Sequence, residues 1–461
     1  MNKMKDLIQK QREFFYSGAT LDYRFRRNRL NQLYQMITEN EAMISEALYC
    51  DLHKSAYESF ETEIGMVLAE ITYLRKHLRR LMRPKVKKTP LSQFHSHSVV
   101  YPRPYGVVLN ISPWNYPFQL ALSPLVGSIA SGNCTIVKTS EYAPHTSKVL
   151  SQLLAQTFDD CYIQCVEGDH HVVQDLIAAS PDYLFFTGSP ATGKKIMQQA
   201  AEHLIPLTLE LGGKSPCIID ESANIHLAAK RIVWGKWLNA GQTCIAPDYL
   251  VVHQKVKSSL IEALRRQIIA TYGERPIRSS LYPHIVNEKQ YLRLKQLFTQ
   301  TEKVNEIIDC IGPAFDDEQY AIAPTLIPDA TFDSPFMQEE IFGPILPIIT
   351  YEHLAGVIKK IQSMEHPLAL YIFSKNRQHI QQVTQSISFG GGCINDVMSH
   401  FVSDHLPFGG VGRSGMGHYH GRYSFETMTH YQAILKKDNW FDLPWKYLNH
   451  QNINLLKRFL R

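Results

Sequence analysis

The chain lacks most of the features that mark secreted, metal-binding or membrane-spanning proteins. Its eight cysteines include no Cys-x-x-Cys pair, so neither a zinc site nor a disulfide framework is indicated. No apolar run approaches the ~20 residues that are needed to cross a bilayer. The first residues lead into charged helical sequence instead of the apolar core of a secretory signal. We therefore expect a cytoplasmic protein that has no metal site and no membrane span.

A strong excess of one charge is also missing. The 48 basic and 43 acidic side chains give a net charge of +5 over 461 residues, which indicates no nucleic-acid partner. The densest basic stretches are residues 24–29 and 75–88. Apolar residues at helical spacing lie beside the first of them, and this pattern predicts a solvent-exposed helix face there rather than a phosphate-binding patch.

The length of the chain and its hydrophobic content predict more than one domain, because a single core stops growing at roughly 250 to 300 residues. Residues 20–82 keep helical spacing. Residues 99–112 alternate β-formers around a Pro-Tyr-Gly turn, which predicts a hairpin that feeds a strand. From there to about residue 209, and again over 207–394, short apolar strands alternate with helices, and such alternation predicts parallel sheets built from βαβ units.

Phosphate-binding motifs occur at two places, and neither is a standard one. Gly410–Gly415 matches G-x-G-x-x-G but follows Leu406-Pro407-Phe408 instead of a strand, so it is not expected to bind a dinucleotide. Gly188–Lys194 resembles a P-loop, yet Lys195 replaces the Mg²⁺-binding hydroxyl, which disfavours ATP hydrolysis. The second segment joins a strand to a helix, so it is either a pyrophosphate site or an ordinary turn.

Three side chains are candidates for chemistry, each with a plainer alternative. Cys244 follows Gly241 in a turn where backbone can approach a substrate, although a lone cysteine is usually a buried hydrophobe. Glu210 lies in apolar sequence that would raise its pKa towards that of a general base, or it is a surface carboxylate beside Lys214. Asn115 lies between two prolines, where its amide either braces the turn or donates to a reacting oxygen.

Short motifs spread over most of the chain share one order with a known family. The chain resembles the aldehyde dehydrogenases, and it resembles their class 3 branch in its opening helices, in residues 242–249 and in the tail through Leu443-Pro444-Trp445. The motifs are Pro113-Trp114-Asn115, Lys138-Thr139-Ser140-Glu141, Phe186-Thr187-Gly188-Ser189, Glu210-Leu211-Gly212-Gly213-Lys214, Gly241-Gln242-Thr243-Cys244, Glu340-Ile341-Phe342-Gly343-Pro344 and Pro407-Phe408-Gly409-Gly410.

The resemblance implies an α/β fold with a Rossmann-type cofactor domain, a second α/β catalytic domain and a small β oligomerisation arm. The expected boundaries are residues 1–82 and 99–206 for the dinucleotide-binding domain, 207–394 for the catalytic domain, and 83–98 with 395–461 for the arm and tail. It also implies a homodimer and medium-chain, long-chain or aromatic aldehydes as substrates.

The resemblance further implies a covalent mechanism. Cys244 attacks the aldehyde, the Asn115 side chain and the Cys244 N–H hold the oxyanion, and Glu210 activates the water that hydrolyses the thioester. Tyr116, Trp234 and Thr243 would line a substrate channel, although Trp234 is as readily a packed core residue. The residues expected to bind the cofactor are Lys138, Glu141, Gly188, Ser189, Gly193, Leu211, Glu340 and Phe342.

NAD is the expected cofactor, because the charge of Glu141 would repel a 2′-phosphate, while Lys138 leaves NADP possible. One alternative function is a cysteine-dependent thioester or ester hydrolase, which uses only the second half of the mechanism. Another is a non-catalytic binding protein, which would have lost Cys244, Glu210 or Asn115. A third is release of the thioester to coenzyme A, which the presence of Glu210 disfavours.

Overall fold

The computed structural model describes residues 2–303, 306–442, 447, 453–454 and 457. The α-helices are α1 (Asn2–Tyr16), α2 (Tyr23–Glu39), α3 (Glu41–Leu52), α4 (Ala56–Ser59), α5 (Gly65–Leu81), α6 (Gln119–Ser131), α7 (Pro144–Thr157), α8 (His170–Ala178), α9 (Pro190–Ala201), α10 (Ile225–Trp237), α11 (Lys257–Tyr272), α12 (Glu288–Lys303), α13 (Leu354–Gln362), α14 (Arg377–Ser386) and α15 (Arg422–Thr427). The strands are β1 (Lys85–Lys87), β2 (Ser96–Pro104), β3 (Val107–Ile111), β4 (Cys134–Lys138), β5 (Ile163–Val166), β6 (Tyr183–Gly188), β7 (Leu207–Leu211), β8 (Pro216–Ile219), β9 (Tyr249–His253), β10 (Asp309–Cys310), β11 (Phe315–Asp316), β12 (Ala321–Ile322), β13 (Thr325–Ala330), β14 (Ile345–Tyr351), β15 (Ala369–Phe373), β16 (Gly391–Ile394), β17 (Gly415–Met416) and β18 (Thr429–Lys437).

The first large sheet has the strand order β17-β7-β6-β3-β4-β5. Its strands β3 to β7 are parallel and only β17 is antiparallel. The strand order reverses between β3 and β6, and ligands of open α/β sheets bind beyond the carboxyl ends of the strands at such a point. Gly415, the last residue of the G-x-G-x-x-G match, pairs with Glu210 at the β17 edge, away from this reversal.

The second large sheet has the order β10-β13-β14-β9-β8-β15-β16 and is parallel except for β10. All residues of β8, β9 and β15 are buried, which explains why these strands read as continuous apolar runs rather than alternating ones. The predicted α/β fold with two parallel sheets is therefore confirmed.

The predicted hairpin at residues 99–112 is wrong. Strand β2 pairs with β1 and β18 in a separate three-stranded antiparallel sheet, while β3 belongs to the first large sheet. The Pro-Tyr-Gly turn thus moves the chain between sheets instead of reversing it. The tail motif Leu443-Pro444-Trp445, which was part of the class 3 resemblance, lies outside the described residues.

In the helical opening α1 packs against β3 and β4 of the first large sheet, while α2 and α5 pack against α6. One predicted feature of this region needs correction, because Arg26 in the first basic stretch is buried instead of solvated. Its guanidinium donates to the carbonyls of Thr20 and Ala130, and burial lowers its pKa to about 10. Among the described residues, no helix has the length and apolar character that a membrane crossing requires.

Candidate active site

A cavity of about 1300 Å³ opens beyond the carboxyl ends of β3, β4, β6 and β7 and reaches the loop that follows α10. Of the fourteen residues predicted to act in catalysis, cofactor binding or the substrate channel, only Gly193 is absent from its lining. The predicted residues that line it are Asn115, Tyr116, Lys138, Glu141, Gly188, Ser189, Glu210, Leu211, Trp234, Thr243, Cys244, Glu340 and Phe342.

The turn before Cys244 has an unusual backbone. Asn239, Ala240 and Gly241 are consecutive left-handed residues with φ values of 51°, 51° and 75°. Left-handed backbone is unfavourable for residues with a Cβ, so two of these residues are held by their surroundings. At Gly241 a Cβ would collide with the carbonyl of Gly343. The Gly-Gln-Thr-Cys motif therefore needs its glycine for both conformation and space.

Cys244 is a partly exposed residue of the cavity lining. Burial raises its pKa above the ordinary value, and the nearby carboxylates of Glu340 and Glu210 raise it further. The backbone N–H groups of Cys244 and Ile245 face the sulfur and act in the opposite direction. The thiol is consequently protonated at neutral pH, and its ionisation depends on a proton acceptor or on a positive charge brought by a ligand.

Glu210 is the fourth residue of β7 and is 3% exposed. Neither of its carboxylate oxygens has a hydrogen-bond partner among the described residues. Burial alone raises its pKa well above the ordinary value. The alternative of a surface carboxylate beside Lys214 is wrong, because Lys214 binds Asp248 at 2.5 Å instead. A carboxylate in such surroundings binds a proton more tightly than an exposed one, as a general base requires.

Asn115 is 4% exposed and follows β3. Its Nδ2 donates to the carbonyl of Gln242 at 3.0 Å. The backbone carbonyl of Asn115 accepts hydrogen bonds from Lys54 Nζ at 3.1 Å and from Asn239 Nδ2 at 2.7 Å. The side-chain amide has a second hydrogen, so it can brace the cysteine turn and still donate to an oxyanion.

Sequence reasoning missed the buried charges beneath Asn115. Lys54 is 0% exposed and binds Glu63 Oε1 at 2.5 Å. The other oxygen of Glu63 accepts the backbone N–H groups of Phe118 and Gln119, where α6 begins. A carboxylate is favourable at a helix N-terminus. This ion pair therefore connects the loop that carries Asn115 to the helix that follows it.

The channel candidates surround the thiol. The Tyr116 hydroxyl lies 2.5 Å from Thr243 Oγ1, and Lys54 lies over the Tyr116 ring at 4.0 Å. Trp234 is half-buried and contacts both the core and the cavity, so its two interpretations are compatible. Sequence reasoning also missed Tyr419, which lines the cavity and whose pKa is raised by burial and then by Glu210 and Cys244.

At the far end of the cavity Lys138 and Glu141 form an ion pair at 3.1 Å, with Lys138 buried and Glu141 exposed. Ser189 caps α9 by accepting the N–H of Thr192 at 3.3 Å. This junction of β6 and α9 has the strand-to-helix geometry that suits an anion.

Glycines at this junction permit close packing. A Cβ on Gly188 would lie 2.5 Å from the Phe186 ring. A Cβ on Gly193 would lie 2.6 Å from Leu211 Cδ2, so Gly193 allows α9 to approach β7 rather than contributing a surface to the cavity.

The loop that carries Glu340 and Phe342 is tightly anchored. Lys214 Nζ donates to the carbonyls of Phe336 and Glu339, both at 2.8 Å, and Asp248 accepts the N–H of Ile341 at 3.0 Å. Phe342 has a φ of 52° and meets the ring of Trp114 edge to face at 5.3 Å.

Glu340 itself is a strongly perturbed acid. Burial raises its pKa to about 8, and the neighbouring Asp248 raises it while the N–H of Gly213 lowers it. The carboxylate is also close enough to Cys244 to raise the pKa of the thiol.

Comparison with known proteins gives one consistent result. Residues 2–434 match the model of the aldehyde dehydrogenase family. The chain is 46% identical to the 4,4'-diaponeurosporen-aldehyde dehydrogenase of Staphylococcus aureus over 437 residues, which cover 95% of this chain and 94% of that protein. It is 41% identical to human aldehyde dehydrogenase family 3 member B1 over 436 residues, which cover 94% and 92% of the two chains.

Solved structures agree with the sequence comparison. The substrate-bound state of Staphylococcus aureus AldH superposes with a TM-score of 0.95 at 44% identity and covers 100% of both chains. An NAD⁺-bound indole-3-acetaldehyde dehydrogenase superposes with a TM-score of 0.87 at 22% identity, covering 95% of this chain and 89% of that one, and so shares the fold.

Proposed function

The chain belongs to the aldehyde dehydrogenase family, and we propose that it oxidises aldehydes to carboxylic acids through a covalent bond to Cys244. The roles of Cys244 and Glu210 are assigned from one observation. The partly exposed cysteine and the buried carboxylate, which has no hydrogen-bond partner among the described residues, line the same cavity. A nucleophile and a general base are the parts that acylation and hydrolysis need.

The cavity fits a nicotinamide dinucleotide. It extends from Cys244 past the β6–α9 junction to Lys138 and Glu141. Lys138 and Glu141 would hold the adenosine ribose, Ser189 would lie near the pyrophosphate, and Glu340 would hold the nicotinamide ribose. When bound, the nicotinamide supplies the acceptor for a hydride. The exposed negative charge of Glu141 favours NAD over NADP, although Lys138 is close enough to accommodate a phosphate.

The side chains then act in sequence. The Cys244 thiol gives up its proton to water, and the thiolate sulfur forms a bond to the aldehyde carbon. The π electrons of the carbonyl bond move to its oxygen, which becomes negatively charged and accepts hydrogen bonds from the Asn115 amide and the Cys244 N–H. Loss of a hydride from that carbon leaves a thioester on Cys244. Glu210 takes a proton from water, the water oxygen bonds to the acyl carbon, and the sulfur leaves as thiolate. The product is a carboxylic acid.

The substrate class follows from the walls around the thiol. Aromatic and aliphatic side chains predominate there, so we expect a medium-chain, long-chain or aromatic aldehyde. The relative named for 4,4'-diaponeurosporen-aldehyde supports this assignment. The lining side chains of this kind are Met66, Tyr116, Trp234, Leu238, Phe401, Phe408 and Tyr419.

We further propose a homodimer in the cytoplasm. The sheet of β1, β2 and β18 would act as the arm of a homodimer, because Val86 in β1 and Leu91 between β1 and β2 are 75% and 79% exposed. A cytoplasmic location suits the cysteines, all of which are free. The domains would follow the two large sheets, but the boundaries expected at residues 99 and 207 each shift by one strand. Strand β2 pairs in the three-stranded sheet and β7 in the first large sheet. Residues 1–82 and 105–211 would then surround the first sheet and residues 212–394 the second.

NADH absorbance tests the reaction. Aldehydes from hexanal to hexadecanal and benzaldehyde are added with NAD and then with NADP. We expect turnover that rises with apolar chain length and a Cys244→Ala variant that binds NAD but does not turn over. Wild-type turnover by Cys244→Ala would remove the thiol from the mechanism. Absence of NADH formation with every aldehyde would instead favour a thioester hydrolase or a binding protein.

A further inference from the structure

A buried carboxylate that the mechanism does not use lies behind the cysteine turn. Glu58 is on the single-turn helix α4, where Ser55 Oγ accepts its N–H at 3.2 Å. A π-helical turn over Phe60–Ile64 follows directly. Such turns are rare and frequent near functional sites. In this segment Glu58 and Glu63 are both turned into the interior, with exposures of 6% and 0%.

The carboxylate of Glu58 reaches the backbone of the turn. Its Oε1 accepts the N–H of Asn239 at 2.7 Å, across 181 positions of the chain. Asn239 is the first of the left-handed residues that lead to Cys244. A left-handed residue with a Cβ relaxes to another conformation unless contacts hold it. The bond from Glu58 is such a contact, and it acts on the backbone itself.

The other hydrogen bonds of the turn involve the side chains of Asn239 and Gln242. The Asn239 side chain donates to the carbonyls of Asn115 and Gln242 at 2.7 and 3.2 Å. Gln242 in turn donates to the carbonyl of His284 and accepts the N–H of Val286. A rotation of the Asn239 peptide would therefore displace both the oxyanion amide and the residues that lead directly to the thiol.

We propose that Glu58 is a positioning residue for the covalent step: its carboxylate fixes the Asn239 peptide and thereby sets the direction in which Cys244 presents its sulfur. This inference rests on the proposed role of Cys244. Glu58 does not line the cavity, so it would act only through the turn. Correct placement of a nucleophile contributes strongly to rate, and a displacement of about 1 Å is enough to lower it substantially.

The role of Glu58 predicts that the presentation of Cys244 depends on pH. Burial raises the pKa of Glu58 to about 7, while Lys54 and the N–H of Asn239 lower it and Glu61 and Glu63 raise it. The other titratable groups that face it are the hydroxyls of Tyr116 and Tyr272. The ionised carboxylate accepts the stronger hydrogen bond, so the turn is held better above pH ~7 than below it.

Alkylation of Cys244 by iodoacetamide, followed by peptide mass spectrometry, measures the presentation of the thiol directly. In the wild type we expect the logarithm of the rate to depart from a straight rise with pH near 7. Glu58→Gln keeps an acceptor of the same length without a charge, so its profile should lack that departure. Glu58→Leu removes the acceptor, so alkylation and kcat should each fall about tenfold while the Kd for NAD changes less than about twofold.

Glu46→Leu is the matched control, because it removes an exposed carboxylate from α3 and should behave like the wild type. A folded Glu58→Leu protein with wild-type alkylation and kcat would overturn the proposal. If that variant does not fold, Glu58→Gln decides, and an unchanged departure near pH 7 would overturn it. Failure of the proposed function is recognised separately, because Cys244→Ala would then still turn over aldehyde.

Discussion

The carboxylate of Glu340 lies directly against the Cα of Gly212. A Cβ at that position would be 2.8 Å from the carboxyl carbon, and the next residue, Gly213, donates its N–H to the same carboxylate. Gly212 and Gly213 thus form the surface, here called the floor, against which the Glu340 carboxylate lies. This contact joins the end of β7 to the anchored loop that is expected to hold the nicotinamide ribose.

A methyl group at Gly212 is expected to displace Glu340. For Gly212→Ala we predict that the Kd for NAD, measured by calorimetry, rises about tenfold, which corresponds to about 1.4 kcal/mol. Gly213→Ala is the matched control, because the nearest atom to its Cβ would be 3.5 Å away, an ordinary contact. Equal effects of the two substitutions would contradict the role given to this floor.

Glu210 should make stability depend on pH. Its pKa is raised by burial, so the folded state retains the proton as pH rises above the ordinary value of 4.5, and stability falls until the folded pKa is reached. Glu210→Gln lacks this loss. We predict that its advantage in unfolding free energy over the wild type grows by up to about 1.4 kcal/mol per pH unit, measured by urea denaturation above pH 5.

Glu46→Gln controls for the change of charge, because Glu46 is an exposed carboxylate. A difference between Glu210→Gln and wild type that stays constant with pH would show that Glu210 is not a buried acid.

Glu141 should control the choice of cofactor. It is exposed and pairs with Lys138 at 3.1 Å. For Glu141→Gln we expect the ratio of kcat/KM for NADP to that for NAD to rise about tenfold, because repulsion of the 2′-phosphate is lost and Lys138 is released to bind it. Glu167→Gln, on a neighbouring loop, is the control. An unchanged ratio would place the adenosine ribose elsewhere.

The Lys54–Glu63 pair should be essential for stability. Lys54→Met leaves the buried Glu63 without its cation, so we predict a loss of about 3 to 5 kcal/mol in unfolding free energy. Adding Glu63→Gln removes the stranded charge and keeps an acceptor for the N–H groups at the start of α6. The double variant should therefore recover most of the loss. No recovery would mean that the loss of stability comes from lost packing of the Lys54 side chain and not from the unpaired charge of Glu63.

Much of the fold could be predicted because the strands of parallel sheets are buried on both faces. The sequence predicted short apolar strands alternating with helices, and β3, β4 and β8 are such strands, with every residue buried. Pairing could not be predicted in the same way. β2 pairs with β18, more than three hundred positions away, and the local turn at Pro104 carries no signal of this partner. The hairpin prediction failed for that reason.

The candidate site shows the same contrast between local sequence signals and long-range contacts. The family motifs identify the side chains of the cavity, but their environment depends on residues from distant segments. Glu63 had one signal in the sequence, since it occupies the apolar face of the helical pattern with Val67, Ile71 and Leu74. Glu58 had none, because its partner is a backbone N–H of a turn whose conformation arises only in the folded chain.

The most direct test of the covalent mechanism is the mass of Glu210→Gln after mixing with NAD and decanal. If Cys244 is acylated and Glu210 is needed for hydrolysis, this variant should release one equivalent of NADH and then stall. Its peptide containing Cys244 should carry one decanoyl group, which hydroxylamine removes. Steady turnover without an adduct, or an adduct on another cysteine such as Cys393, would contradict the account.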